Sequence, residues 1–395
     1  MWGGAKHDHS PPHPHIRGVS TAADRPEPLR APLGLVEGVS VTGVLDEAEL
    51  VDEGQPTGLV APFPWYGAKK APAAEIWARL GDVDHYIEPF AGTLSVLLAR
   101  PGPLRRGAAE TVNDADCLLA NFWRAVRADP DAVAEAADWP VNEADLHARH
   151  LWLANRGREI AERVTWDPEF YDARVAGWWV WGISAWVGGG WCSGAGPWVP
   201  DALGLPYEGH AGVHRRVPAV GDNAGKGVHA LTRRGHLHEV MGALARRLRY
   251  VRVLSGDWSR AVSPGVAGSK AFGTTGVLVD PPYDGTDSAG TIYASDDLGV
   301  ADAAATWALQ AGQSPSLRIA FCCYAGSPTW ERFAAAGWAE HRWRAHGGRG
   351  EANDANAKRE TVWFSPACLG PRTPRLFDDD YKTPARAGTT DKEAL

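Results

Sequence analysis

The stretch that decides the fold is residues 83–93, which read VDHYIEPFAGT. A short strand leads through a proline into a turn of small residues, and the next stretch, 94–100, has helical character with Thr93 as its expected N-cap. A strand, a tight turn and the amino terminus of a helix make the nucleotide-type cradle of a Rossmann-like sheet. The glycine pattern is short, because Gly92 stands alone and Leu94 fills the place of a second glycine. The chain is therefore predicted to have an α/β fold.

A second predicted strand, residues 110–113, ends at an acidic residue. Asp114 follows Gly92 by 114 − 92 = 22 positions, the offset at which an acidic side chain meets ribose hydroxyls in such sheets. Asp116 is the competing candidate for that contact, and capping of the helix predicted over 117–128 is the alternative role of Asp114. The preceding strand favours the ribose contact by Asp114.

The segment 277–283, VLVDPPY, has a different pattern. Its apolar residues predict a buried parallel strand, and the tandem prolines Pro281 and Pro282 cannot continue a sheet interior. Asp280 is therefore expected at the carboxyl end of the strand. Its carboxylate and the Pro281 carbonyl would accept hydrogen bonds, and Tyr283 would offer a stacking face, a set that suits one planar ring. The alternative is a plain proline turn with a surface aspartate.

Composition excludes several classes of protein. Five scattered cysteines without a CxxC pair predict free thiols in a reducing compartment and no metal site. No apolar run reaches the length of a membrane span and no apolar leader opens the chain, so we expect a cytoplasmic protein without membrane contact. The formal charge of −8 does not favour nucleic acid, so any basic surface must be local.

The best local candidate for phosphate binding is the stretch 215–252, which carries nine Lys and Arg residues against Asp222 and Glu239. The arginines of the helix predicted over 236–249 are also explained as its solvated face. The residues chosen for this contact are Arg215, Arg216, Arg233 and Arg234.

The alternation of predicted strands and helices is interrupted once. Residues 1–58 and 367–395 are predicted to be disordered tails, and residues 59–131 and 250–366 to be the two parts of the sheet domain. Residues 132–249 form a mainly helical insertion, where a recognition domain would sit. Trp191 and Trp198 lie in or beside its Gly-rich loop, where stacking on a base is the alternative to packing. Tryptophans at helical spacing are assigned to the core, namely Trp178, Trp181 and Trp186.

Five blocks, in this order, resemble the Dam-like (alpha-group) DNA adenine methyltransferases. They are WYGAK at 65–69, EPFAGTLSV at 88–96, Asn113-Asp114, Asp257, and DPPY at 280–283. Ala68 and Leu94 stand where the family has glycines. The resemblance covers roughly residues 59–366, interrupted by the insertion, whose loop 188–198 falls about where the family carries a DNA-contacting hairpin.

The resemblance implies a Rossmann-like S-adenosylmethionine-dependent methyltransferase sheet with helices on both faces. It also implies transfer of a methyl group to N6 of an adenine flipped out of double-stranded DNA, with the insertion as the target-recognition part. The implied catalytic residues are Asp280, Pro281, Pro282 and Tyr283. The implied cofactor-binding residues are Trp65, Gly67, Lys69, Glu88, Pro89, Phe90, Gly92, Asp114, Asp257 and Asp280, with Lys69 as the partner of the cofactor's carboxylate. DNA contacts are expected from Trp191, Trp198 and the four arginines chosen above.

Rival functions rest on the same residues. Methylation of RNA or of a protein amino group uses the same sheet, although asparagine at position 280 would have indicated the protein-glutamine type. A non-catalytic DNA- or cofactor-binding scaffold is the rival from another class, and the replaced glycines favour it. Dinucleotide-dependent redox chemistry fits the Gly92 turn but leaves residues 280–283 without a role. We expect a monomer, and the resemblance fits a lone enzyme as well as one paired with a cognate restriction endonuclease encoded elsewhere.

Overall fold

The computed structural model describes residues 59–65, 67–186, 191–192, 198–200, 206–208, 227–268, 273–282, 299–344 and 359–371. All of them fall within one compact unit, Asp52–Leu395. The predicted tail 1–58, most of the predicted tail 367–395, and the site candidates Tyr283, Arg215 and Arg216 lie outside the described residues.

A seven-stranded sheet with the order β5-β2-β1-β6-β7-β9-β8 forms the centre of the described structure. The five strands from β5 to β7 are parallel, and β9 pairs antiparallel with both β7 and β8. This sheet confirms the predicted α/β, Rossmann-like fold. Its strands are β1 (His85–Glu88), β2 (Ala109–Asp114), β5 (Val251–Ser255), β6 (Thr275–Val279), β7 (Leu317–Tyr324), β8 (Ala339–Arg342) and β9 (Glu360–Phe364).

Ten described helices surround the sheet or build the insertion. They are α1 (Ala73–Leu80), α2 (Ser95–Leu98), α3 (Cys117–Ala128), α4 (Pro130–Ala137), α5 (Glu143–Trp166), α6 (Ala173–Ala185), α7 (Val228–Arg233), α8 (Leu237–Leu248), α9 (Gly299–Ala311) and α10 (Pro328–Ala335). A short 3-10 helix, Trp258–Arg260, follows β5.

Side chains on successive strand positions enter two different cores, as the pleat of a strand requires. Tyr86 and Leu278 belong to the core that α1 to α6 and α8 cover. Their neighbours Ile87, Val277 and Val279 belong to the core under α9 and α10. Helices therefore cover both faces, which explains why the central strands contain continuous apolar runs instead of an alternating pattern.

Helices α4, α5, α6 and α8 of the insertion pack directly on α3. Gly177 allows α6 to approach α4 closely, since a Cβ there would lie 2.4 Å from the Cβ of Ala136. Trp179 and Trp181 of α6 are almost fully buried, while Trp178 and Trp186 are half-buried against the same core. A hairpin of β3 (Trp198–Pro200) and β4 (Pro206–Glu208) follows α6.

The carboxyl-terminal end of the described chain is packed against α1. The backbone N–H of Leu369 donates to the Arg79 carbonyl at 2.8 Å, and Nη1 of Arg79 donates to the Leu369 carbonyl at 2.9 Å. Described structure therefore continues beyond position 366, where the sequence placed the start of the tail.

Two further observations concern the described residues as a whole. None of their helices combines the length and the apolar composition that crossing a bilayer requires. Within the same ranges, no group of three or more His, Cys, Asp or Glu side chains is arranged to hold a metal ion. The five cysteines are free thiols.

Candidate active site

Most of the predicted catalytic and cofactor-binding residues lie where four neighbouring parallel strands end, namely β5, β2, β1 and β6, whereas Trp65, Gly67 and Lys69 precede α1. Adjacent strands lie about 4.8 Å apart, so the four carboxyl ends span roughly 15 Å. Asp257 follows β5, Asp114 ends β2, residues 89–92 follow β1, and Asp280 follows β6. Positions that are far apart in sequence therefore lie along one edge, where open α/β sheets bind their ligands.

Asp114 holds the turn after β1. Its Oδ2 accepts the backbone N–H of Gly92 at 3.0 Å, and its Oδ1 accepts that of Asp116 at 2.9 Å. Burial raises the pKa of Asp114 to about 6, although these hydrogen bonds act in the opposite direction. Asp116 is the N-cap of α3 and accepts the N–H groups of Leu118 and Leu119. The capping role considered for Asp114 therefore belongs to Asp116.

The turn itself requires two left-handed residues. Gly92 has φ +47°, and a Cβ there would lie 3.1 Å from Nε1 of Trp65, whose ring covers the turn. Leu94 has φ 53° and ψ 29°, and its side chain is fully buried. Leu94 thus adopts the left-handed conformation that a glycine would favour. The expected N-cap Thr93 is wrong, because Leu94 precedes α2 and no side chain caps the helix.

Asn113 joins the ends of three strands, although only its neighbour Asp114 was chosen as a site residue. Its buried Nδ2 donates to the carbonyl of Pro89 and to that of Gly256, both at 3.0 Å. Two hydrogen bonds from one buried amide therefore fix the turns after β1 and β5 relative to β2. The signal that could have found Asn113 is its place in the Asn113-Asp114 block.

Asp257 lies beside a pair of aromatic rings. Its exposed carboxylate caps the 3-10 helix by accepting the backbone N–H of Ser259 at 2.9 Å. The rings of Phe90 and Trp258 stack with centroids 5.9 Å apart and planes 25° apart. Phe90 was predicted to belong to the site and Trp258 was not, although Trp258 directly follows Asp257 in the sequence.

Glu88, the last residue of β1, is a buried acid. Its Oε1 accepts the hydroxyl of Tyr86 at 2.7 Å and the backbone N–H of Leu97 at 2.8 Å. Burial raises the pKa of Glu88 to about 8, and the negative charges of Glu110 and Asp280 act in the same direction. Glu88 thus adds a titratable group near Asp280.

Lys69 lies between two carboxylates. Its Nζ is 2.8 Å from Oδ2 of Asp280 and 3.9 Å from Oε2 of Glu360, and it donates to the carbonyl of Gly67 at 2.7 Å. Burial by itself lowers the pKa of Lys69, but Asp280 and Glu360 outweigh burial, so the pKa is raised and the amine stays charged. The sequence predicted a cofactor carboxylate as its partner. In this structure the partner is Asp280, and Trp343 and Glu360 are the neighbours that no motif indicated.

The residues expected to contact DNA differ from one another in their structural surroundings. The ring of Trp191 packs against Gly182, and its Nε1 donates to the carbonyl of Trp179 at 3.1 Å. Trp191 is therefore anchored in the insertion. Trp198 begins the hairpin β3–β4, Arg233 ends α7, and Arg234 is exposed immediately after it.

The last part of the basic stretch 215–252 lies away from the site edge. Arg247 is buried and bonds Glu110 with both of its terminal nitrogens, at 2.6 and 2.8 Å. Arg249 and Arg252 flank the start of β5, whereas the site lies at the strand ends. These three arginines therefore do not contribute to a phosphate surface beside Asp280, and Arg247 has a structural role.

Comparison with known proteins adds an independent finding. Residues 65–163 match the family model of the D12 class N6 adenine-specific DNA methyltransferases. The match begins at Trp65, includes the turn after β1 and Asp114, and ends within α5. A search of curated proteins found no match. The family match confirms the predicted resemblance: residues 65–163 are similar to the D12 class N6 adenine-specific DNA methyltransferases, which supports an enzyme of DNA adenine methylation.

Proposed function

We propose that the chain uses S-adenosylmethionine to methylate N6 of an adenine that double-stranded DNA presents outside its base stack. The observation that carries this proposal is the position of Asp280. It follows β6 at the same edge as Gly92, Asp114 and Asp257, and its carboxylate is paired with the buried ammonium of Lys69. A methyl donor beside Asp114 would therefore meet a base held at Asp280.

The residues at this edge fit S-adenosylmethionine. The bare Cα of Gly92 lets the Trp65 ring lie against the turn, since a Cβ there would lie 3.1 Å from Nε1 of Trp65. Each carboxylate oxygen of Asp114 has a further lone pair with which to accept a ribose hydroxyl. Phe90 and Trp258 offer aromatic faces for the adenine ring beside Asp257. When bound, S-adenosylmethionine supplies a methyl group activated by a positive sulfonium, and the acidic edge favours that charge.

Asp280 would prepare the target amine. The lone pair of an exocyclic adenine amine is delocalised into the ring, which makes the amine a poor nucleophile. The carboxylate of Asp280 and the carbonyl of Pro281 would accept its two hydrogens and direct the lone pair out of the ring plane. As the new N–C bond forms, the bond between the methyl group and the donor's sulfur would break. The carboxylate of Asp280 would stabilise the positive charge that develops on nitrogen, and the amine would then release one proton to solvent. Positioning and electrostatics are sufficient, without a covalent enzyme intermediate.

Access to that amine requires base flipping, because the stacked duplex shields it. Tyr283, directly after the rigid Pro281-Pro282 turn, is proposed to stack on the flipped base. The helical insertion is proposed to read the duplex, with contacts from the hairpin that begins at Trp198 and from basic residues of the insertion. Trp191 would act by shaping this region from its packed position, and the arginines proposed for the DNA backbone are Arg215, Arg216, Arg233 and Arg234. A monomer that acts alone or beside a cognate restriction endonuclease fits this arrangement.

The test is a comparison of Asp280→Ala with Asp257→Ala. We expect Asp280→Ala to abolish methyl transfer to unmethylated plasmid DNA while it leaves S-adenosylmethionine binding, measured by calorimetry, largely intact. Asp257→Ala is expected to weaken cofactor binding instead. Full activity of Asp280→Ala would remove the catalytic proposal, and absence of S-adenosylmethionine binding by the unmodified chain would remove the cofactor.

A further inference from the structure

We propose that Glu360 is a positioning residue for methyl transfer, which acts on the carboxylate of Asp280 through Lys69. This inference rests on the role proposed for Asp280. None of the sequence motifs includes Glu360, because it lies on the antiparallel strand β9, far along the chain from both partners.

The topology explains why Glu360 reaches the site. Because β9 runs antiparallel to β7, its first residue lies at the edge where the parallel strands end. Glu360 pairs with Tyr324, the last residue of β7, and β7 is the neighbour of β6, which leads into Asp280. The Glu360 side chain is 7 % exposed, and its Oε2 lies 3.9 Å from Nζ of Lys69.

The charges around Lys69 give Glu360 its function. One ammonium lies between two carboxylates, and the Lys69 side chain is 5 % exposed. A pair of Lys69 and Asp280 alone would be neutral, so the ammonium would offset the charge that Asp280 needs as nitrogen becomes positive. With Glu360 ionised, the three groups together keep one negative charge. Because the site is buried, this difference is screened far less than it would be at the surface.

Glu360 also limits where the ammonium can go. An ammonium has three N–H donors, and Lys69 directs two contacts at Asp280 and at the Gly67 carbonyl. Glu360 attracts it as a second carboxylate, 3.9 Å from Nζ. Without that attraction, the ammonium would interact more strongly with Asp280 and compete with the adenine amine for its lone pairs.

The experiment is a double-mutant cycle on the full chain, with Glu360→Gln, Lys69→Gln and both changes together. Single-turnover transfer of a labelled methyl group from S-adenosylmethionine to unmethylated plasmid DNA is measured, together with cofactor affinity. We expect Glu360→Gln to slow transfer about 100-fold, the size of effect that a small misplacement of a reacting group produces, with cofactor affinity unchanged. In the Lys69→Gln background, the same change should have no further effect.

Two controls make the cycle decisive. Glu340→Gln removes a partly buried acid of the neighbouring strand β8, one that bonds Trp330 and Arg342, and it should leave the rate unchanged. Glu360→Asp keeps the charge and should recover part of the lost rate; it replaces Glu360→Gln in the cycle if that variant does not fold. An equal loss of rate with and without Lys69, or no loss at all, would overturn the inference. If the unmodified chain itself does not methylate DNA with this donor, the failure lies with the proposed function instead.

Discussion

The ammonium of Lys69 lies 2.8 Å from Oδ2 of Asp280, so the first and the last of the sequence motifs meet in one ion pair, of which the lysine is buried. This contact places Lys69 beside the carboxylate that is proposed to hold the target base. An amine bound to the cofactor's carboxylate would instead leave Asp280 without this partner.

Replacement of Lys69 distinguishes these two roles. We expect Lys69→Gln to lower kcat about 100-fold, because the carboxylate of Asp280 loses the group that orients it, while KM for S-adenosylmethionine changes little. The exposed neighbour Lys70 provides the matched control, Lys70→Gln, which should behave like the unmodified chain. Steady-state kinetics with varied donor concentration measures both constants. A raised KM with normal kcat would instead indicate that Lys69 binds the cofactor.

We expect Asn113 to contribute both to the free energy of unfolding and to cofactor affinity. Asn113→Ala removes the buried amide that donates to the carbonyls of Pro89 and Gly256. Leaving buried acceptors without donors costs about 1–3 kcal/mol, and the turn that carries Gly92 loses its support. Cofactor affinity should therefore fall together with the free energy of unfolding.

The control for Asn113 is Asn121, a buried asparagine in α3. It exchanges two hydrogen bonds with the backbone of Asp172, away from the strand ends. Asn121→Ala should lose comparable stability in urea unfolding while calorimetry shows unchanged cofactor affinity. Equal losses of affinity in both variants would mean that Asn113 has no special relation to the site.

Substitutions at Leu94 test how a buried side chain and a left-handed backbone conformation each affect stability. Leu94→Ala should destabilise the protein by about 2–5 kcal/mol, because it empties a fully buried position. Glycine at the same position loses one more carbon but relieves roughly 1–2 kcal/mol of backbone strain. Leu94→Gly should therefore be no less stable than Leu94→Ala in denaturant unfolding. A clearly lower stability of Leu94→Gly would show that strain at φ 53° is unimportant here.

Glu88 should make stability depend on pH. Its pKa rises from an ordinary value of 4.5 to about 8 in the folded state, so the folded chain holds a proton that the unfolded chain releases in this window. Stability from this group is thus present below pH 4.5 and is lost as pH rises toward 8. Each unit of pKa shift corresponds to about 1.4 kcal/mol, so a loss of several kcal/mol is expected for the unmodified chain relative to Glu88→Gln.

Urea unfolding at a series of pH values measures this difference. Glu135 is exposed on α4, so Glu135→Gln should keep the pH dependence of the unmodified chain. Parallel curves for the unmodified chain and Glu88→Gln would mean that Glu88 is ionised in the folded state at neutral pH.

Local patterns were sufficient to predict most of the elements. The range predicted for α3, residues 117–128, is that of the structure, because apolar periodicity and N-capping act within a few residues. Gly92, Asp114 and Asp280 were chosen from strand ends, and parallel strands bring their carboxyl ends to one edge. Their functional roles stay predictions until the experiments above are done.

Contacts between distant segments could not be predicted in the same way. From the sequence, the ring of Trp191 could have been available for stacking in a Gly-rich loop. In the structure this ring packs on α6. The sequence counted Arg247 as part of a basic surface, yet Glu110 on β2 binds it in the interior. In both cases the partner lies on another element, and side-chain identity alone does not indicate which elements become neighbours.

The sequence by itself determined the class of fold, the order of the motifs and the residue types at the strand ends, because those depend on local periodicity and on turn chemistry. Only the tertiary structure decided that Lys69 pairs with Asp280, that Asn113 joins the ends of three strands, and that Glu360 lies 3.9 Å from the ammonium of Lys69. The physical reason is that an ion pair or a buried hydrogen bond depends on distance in space, which the order of strands in the sheet sets and the spacing along the chain does not.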